Sequence, residues 1–227
     1  MLVAPFGVFA LLATLIVESP SLDIFLALGL YTFTLVAGLT SMIIIYTLLV
    51  KIYVKIKPSK FIRGISPAQL LAFSTSSSAA TLPVTMERVE EHLGVDEEVA
   101  SFVLPVGATI NMDGTSLYQA VAAVFIAQAF GMDLSLGTQL GIIITATLAS
   151  IGAAAVPSAG MVMLVIVLGQ AGIPEAGLAL IFAIDRPLDM CRTVVNITGD
   201  ASVSMIVAKS LGKLKQQPLE KKWDDNY

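Results

Sequence analysis

Asp113, Asp189, Arg192 and Asp200 lie inside long runs of apolar residues, and their types define the chemistry on offer. Arg192 stays protonated and presents a planar fork of donors that matches a carboxylate. Asp189 stands three residues before it on the same helical face, which leaves two readings open. Either the two form a mutual ion pair, or Arg192 takes the side-chain carboxylate of a zwitterion while Asp189 takes its ammonium. In the second reading Ser78 and the amides of polar tips would receive the α-carboxylate. Asp113 and Asp200 have no basic neighbours in sequence. Asn side chains and unwound carbonyls beside a carboxylate suit a hard cation, and a monovalent ion such as Na+ is the economical choice. Cys191 and His92 are the only cysteine and histidine, which argues against an internal disulfide or a transition-metal cluster. His92, within the acidic run from Glu87 to Glu98, reads as a solvated surface residue.

Hydrophobic residues make up 56% of the chain and charged residues 13%, where soluble proteins carry about 25% charged. That balance identifies an integral membrane protein and sets aside a soluble chain in which Asn111 and Asp113 merely cap a helix. A carboxylate in hydrocarbon costs roughly 2.5 to 3.5 kcal/mol, so Asp113 is read as functional. Around it, Pro105-Val-Gly-Ala-Thr-Ile-Asn-Met-Asp-Gly-Thr115 forms a polar break in an otherwise apolar helix. Such a break survives at membrane depth only where protein, ligand or ions take up the freed backbone groups.

The elements that must position these residues follow from hydropathy and charge. Residues 1–20 contain an apolar run of marginal spanning length without the marks of a signal peptide. Residues 21–63 hold a transmembrane helix followed by Lys51, Lys55, Lys57, Lys60 and Arg63, a basic loop that marks the cytoplasmic side. Residues 64–98 place the tip Ser74-Thr-Ser-Ser-Ser78 between two arms too short to cross about 30 Å of hydrocarbon, and a re-entrant hairpin fits. Residues 99–132 read as a discontinuous transmembrane helix. The pattern returns as a second hairpin over 133–174 and a second discontinuous helix over 175–209, broken by its polar residues. Residues 210–227 read as a disordered cytoplasmic tail.

A repeat supports this division. Ser76, Ala79, Ala80 and Pro83 in the first tip are matched by Ser150, Ala153, Ala154 and Pro157 in the second. The following helices carry Asn111-Met-Asp-Gly114 and Asn196-Ile-Thr-Gly199. Because the second unit starts from the opposite side, the repeats are inverted, an architecture that places a substrate site at the midplane. The fold class is therefore an all-α integral membrane protein built from inverted repeats of a re-entrant hairpin plus a discontinuous helix.

The strings SSSAATLPVT, LPVGATINMDGT, ASIGAAAVPSAG and LDMCRTVVNITGD resemble, in order and spacing, the motifs of the dicarboxylate/amino acid:cation symporters. The resemblance covers residues 1 to about 209. It implies a glutamate-transporter-like transport domain: a sodium-coupled symporter of L-aspartate or L-glutamate at the cell membrane, multi-pass and homotrimeric. It further implies an elevator motion, with the hairpins as gates. Carried over, the substrate contacts are Ser78, Thr115, Val156, Gly160, Asp189, Arg192, Thr193 and Asn196. One sodium site takes the carbonyls of Gly107, Asn111 and Asn196 with the carboxylate of Asp200. A second takes Thr109 with the carbonyls of Ser150, Ile151 and Ala153. A third takes the side chains of Asn111 and Asp113, its other ligands lying on an earlier helix. No organic cofactor, nucleic-acid partner or enzymatic chemistry is implied.

The chain departs from the family pattern at three places. Ser76 stands where archaeal members have an arginine, and Arg186 is the candidate to supply that charge. Gln119 stands where potassium-coupled members carry a glutamate, which implies no K+ countertransport. Residues 1–20 resemble the last scaffold helix, so an N-terminally truncated chain is expected. Arg192 separates the chain from the neutral amino-acid branch and Asp189 from the dicarboxylate branch. Symport of those substrates, a channel or a non-transporting fragment are the alternatives.

Overall fold

The apolar run beginning near Phe25 contains no proline until residue 58, and it folds as one helix. The computed structural model describes residues 23–215, which form helices joined by short turns and loops, with one antiparallel bridge between Val95 and Leu214. Helix α1 (Asp23–Leu49) continues into a π-helical turn, Val50–Val54, and stops where Lys55 adopts a left-handed conformation, φ 64°. Among the described residues Phe25–Val54 is the one stretch long and apolar enough, by length and composition, to cross a bilayer.

Helix α2 (Pro58–Thr75) opens with Pro58, whose missing N–H costs nothing in a first turn. It packs against α3 (Ser78–Glu87), which is followed by a π-helical turn, Arg88–His92. Asp96 caps α4 (Glu97–Ile110) by accepting from the Glu98 amide at 3.2 Å. Only Asn111 and Met112 separate α4 from α5 (Asp113–Ala129). Helices α6 (Leu136–Ile151) and α7 (Ala159–Ala171) pack side by side. A 3-10 turn, Glu175–Gly177, leads into α8 (Leu178–Ser210), which contacts α1, α2, α4 and α5.

Two expectations are corrected here. The break expected within 175–209 is absent, since α8 runs unbroken for 33 residues. Its hydroxyls bond back into their own helix: Thr193 Oγ1 donates to the Asp189 carbonyl at 3.0 Å, Thr198 Oγ1 to Val194 at 2.6 Å and Ser202 Oγ to Thr198 at 2.8 Å. Their hydrogen-bonding demand is thus met without unwinding, and Pro187 removes a single backbone donor. The tail, expected to be disordered from residue 210, is pinned as far as Lys215. The Asp96 amide donates to the Lys213 carbonyl at 3.0 Å and the Lys215 amide to Gly94 at 2.7 Å. The expected helix within 1–20 and the tail beyond Lys215 lie outside the described residues.

Large apolar side chains face outward as well as inward, and a set of polar residues is buried within the apolar core. Phe33, Leu70, Phe102, Leu136 and Val162 on the outside are each 69–73% exposed, while Ser78, Thr81, Gln119, Asp185, Asp189, Arg192 and Asp200 are buried. An apolar exterior of this extent fits lipid. The polar interior is where the candidate site lies.

Candidate functional site

Two serines in left-handed conformations shape the turns that approach the centre, Ser76 at φ 52° before α3 and Ser158 at φ 63° before α7. Non-glycine residues rarely adopt this region, and such strain concentrates where packing holds it in place. The turns touch: Ser77 Oγ donates to the Ala155 carbonyl at 2.7 Å. Ser76, Ser78, Thr115, Val156, Gly160, Asp189, Thr193 and Asn196 line one cleft, whose volume of about 20 Å³ is room for about one water molecule. Of the eight residues read from sequence as substrate contacts, only Arg192 is not part of that lining.

Arg192 lies directly behind it. Its side chain is 1% exposed, with Nη2 2.7 Å from Asp189 Oδ1 and 3.3 Å from Asp185 Oδ1. The guanidinium also sits 3.7 Å over the ring of Tyr118, a cation–π contact strengthened by the dry surroundings. Nε and Nη1 have no hydrogen-bond partner among the described residues. Buried donors left unpaired are costly, so two directions of the fork are available to an acceptor. Gly160 keeps that side clear, because a Cβ there would come 3.2 Å from Nη1 and 2.9 Å from Thr115 Cγ2.

Asp189 meets the first of the two readings left open by sequence, the mutual ion pair. Its Oδ2 accepts from the Ser158 amide at 2.9 Å and lies 3.8 Å from Arg186 Nη1. The Arg186 side chain is 51% exposed. Asn196 bridges two helices, accepting from the Gly114 amide at 2.9 Å and donating to Thr115 Oγ1 at 3.3 Å. The first bond satisfies an amide that the first turn of α5 leaves without a helical partner.

A second polar cluster sits beyond it, around the α4–α5 break. Asn111 Nδ2 donates to Asp200 Oδ1 at 2.8 Å, and the Tyr46 hydroxyl donates to Asp113 Oδ2. Gly107 faces this cluster closely enough that a Cβ would come 2.5 Å from Asp200 Oδ1. Gly107, Asn111, Asp113 and Asp200 are therefore brought together, with Asn196 one turn of α8 away. Carboxylate and amide oxygens are donors that a hard monovalent ion accepts. The other proposed group is less gathered. Thr109 is exposed and donates to the Val106 carbonyl at 2.9 Å, Ser150 is buried, Ala153 is buried and Ile151 is exposed.

Sequence reasoning did not single out Asp185, Tyr118 or Tyr46 as partners of these groups. Asp185 precedes Arg192 by seven residues, two helical turns on one face, a spacing that was open to view. Tyr118 and Tyr46 reach the site from other helices, and nothing in their own neighbourhoods reports it. Gln119 is fully buried and donates from Nε2 to the Gly160 carbonyl at 3.0 Å.

Four motif strings thus converge on one interior. The family model for the Sodium:dicarboxylate symporter family matches residues 1–210. The chain belongs to this family. It is 50% identical over 214 residues to excitatory amino acid transporter 3 of Oryctolagus cuniculus, covering 94% of this chain and 41% of that protein. The human protein of the same name gives the same figures. An excitatory amino acid transporter of Caenorhabditis elegans is 48% identical over 206 residues, covering 90% of this chain and 41% of that protein. The chain thus spans about two fifths of the length of these symporter relatives.

Proposed function

We propose that the chain forms the substrate- and ion-binding part of a sodium-coupled symporter of acidic amino acids, L-aspartate or L-glutamate, in a multi-pass membrane protein. The observation that carries this reading is the buried Arg192 fork, with Nε and Nη1 unpaired beside a cleft lined by serines and threonines. A carboxylate seated there would satisfy both donors in a low-dielectric interior, where charge-assisted bonds are strongest.

The same geometry suggests how the second tip acts as a gate. Ser158, at the entry to α7, donates its amide to Asp189 Oδ2. Withdrawing that tip frees Oδ2 for the ammonium of the substrate while opening the cleft. Asp189 then has one oxygen on Arg192 and one on the amino group, which is how a zwitterion is distinguished from a plain dicarboxylate. Ser78 and the amides of the tips receive the α-carboxylate, and Thr115, Thr193 and Asn196 complete the wall. Na+ at Asn111, Asp113 and Asp200 would lie on the α8 face that also carries Asn196, so that ion and amino acid stabilise the same arrangement of α5 and α8. Movement of this unit across the membrane by an elevator motion, within a homotrimer, belongs to the same reading.

Calorimetry of the purified chain tests it. L-aspartate should release heat with saturable binding in NaCl and none in choline chloride, and succinate and L-alanine should both bind at least tenfold more weakly. Binding of L-aspartate that is indifferent to Na+ would overturn the coupling. Equal binding of L-alanine would overturn the role of Arg192.

A further inference from the structure

The polar cluster at the α4–α5 break holds two carboxylates, and no basic side chain forms an ion pair with either among the described residues. Each receives one neutral donor instead. Asn111 Nδ2 serves Asp200, and the hydroxyl of Tyr46, from α1, serves Asp113. Tyr46 is only 6% exposed. It enters the cluster because residue 199 has no side chain: a Cβ on Gly199 would lie 3.0 Å from the Tyr46 hydroxyl oxygen and 2.7 Å from Asn111 Nδ2. Thr47 and Thr40, the neighbouring hydroxyls of α1, donate to carbonyls of their own helix. The phenol therefore supplies α1's hydroxyl to Asp113.

An O–H donor and a cation seek the same lone pairs of a carboxylate. In an interior that excludes water, a carboxylate without either is expensive. We propose that Tyr46 is an ion surrogate: its hydroxyl occupies Asp113 in the ion-free protein and yields it to the bound cation, so that this one hydroxyl stabilises the ion-free form and sets the cation affinity. The inference rests on the reading of Asn111, Asp113 and Asp200 as cation ligands. It makes Tyr46 a positioning residue that acts through Asp113. It also gives α1 a specific part in the cycle, since the α1–α5 hydrogen bond is made when the ion is absent and released when it arrives.

The test is thermal unfolding of the purified full chain and its Tyr46→Phe variant in detergent, titrated with NaCl against choline chloride at constant ionic strength. The variant should melt lower than wild type in choline and level with it at saturating Na+. Its half-stabilising Na+ concentration should fall about tenfold, the size expected for a hydrogen bond to a charged group. A rise in that concentration would overturn the proposal by making the phenol a ligand. An equal loss of stability at all Na+ concentrations would overturn it by making Tyr46 a packing residue. If Na+ stabilises neither protein, the cation reading of the cluster falls, and the surrogate role with it.

Discussion

Arg192 is where charge, burial and unmet hydrogen bonding coincide in one residue. Its two carboxylate partners, Asp185 and Asp189, are themselves buried, so removing the guanidinium leaves uncompensated charge. Arg192→Ala should therefore abolish acidic amino-acid uptake and also destabilise the fold by about 3 to 5 kcal/mol. Arg192→Lys keeps the charge but loses the fork, and should bind L-aspartate at least tenfold more weakly with a smaller loss of stability. Undiminished L-aspartate transport by either variant would contradict the assignment. Gln119 makes the opposite kind of prediction. Its amide is neutral and already committed to the Gly160 carbonyl. K+ loaded inside vesicles should leave net uptake unaccelerated, and a K+-dependent increase would show that a carboxylate is not required at this position.

Helix contacts at the centre are set by glycines whose neighbours differ in how far they can yield. A Cβ on Gly114 would meet the Arg192 carbonyl oxygen at 2.7 Å, and one on Gly64 would meet Leu93 Cδ2 at 2.5 Å. Backbone cannot swing aside as a leucine methyl can. Gly114→Ala should therefore force α5 away from α8 and cost about 1 to 3 kcal/mol, seen as a melting temperature several degrees lower, while Gly64→Ala costs less. A larger loss at Gly64 would reverse the ranking. The same scale explains what was legible beforehand. The α4–α5 interruption was readable because Pro105, Gly107, Asn111 and Asp113 crowd one apolar run. The continuity of α8 was not, because Asp185, Thr193, Asn196 and Asp200 also look like breakers in sequence. Only three-dimensional packing reveals that their polar atoms bond to their own helix, to Asn111 at the α4–α5 break and to α5. The family resemblance named most of the residues that gather, but the partners contributed by α1 and α5, Tyr46 and Tyr118, became visible only with the helices in place.

Across the whole molecule the segment that follows α8 closes onto the start of α4. Lys215 Nζ lies 3.1 Å from Asp96 Oδ2, Lys213 pairs with Glu98, and backbone bonds link both segments. The hydrogen bond from Lys215 holds the Asp96 carboxyl below the ordinary aspartate value of 3.8. A lowered carboxyl favours the folded form above that ordinary value, and the contribution disappears as pH falls through the folded-state value. Wild type should accordingly melt higher than Asp96→Asn at neutral pH and low salt, with the difference fading below pH 3.8 and in 1 M salt, where screening extends to about 3 Å. A difference that survives acid and salt would mean that it does not come from the ion pair with Lys215, since Asn caps a helix as well as Asp. The uninterrupted course of α8 carries a consequence of another kind. Arg192 and Asp200 ride on a single rod, roughly 12 Å apart at 1.5 Å per residue, with no joint between them to absorb strain. Under the proposed function, anything that tilts or rotates one end must reorient the other, so the amino-acid and cation sites would move as one body. Across from that rod the α4–α5 side is interrupted at Asn111 and Met112, so the partner groups there sit on two separate helices.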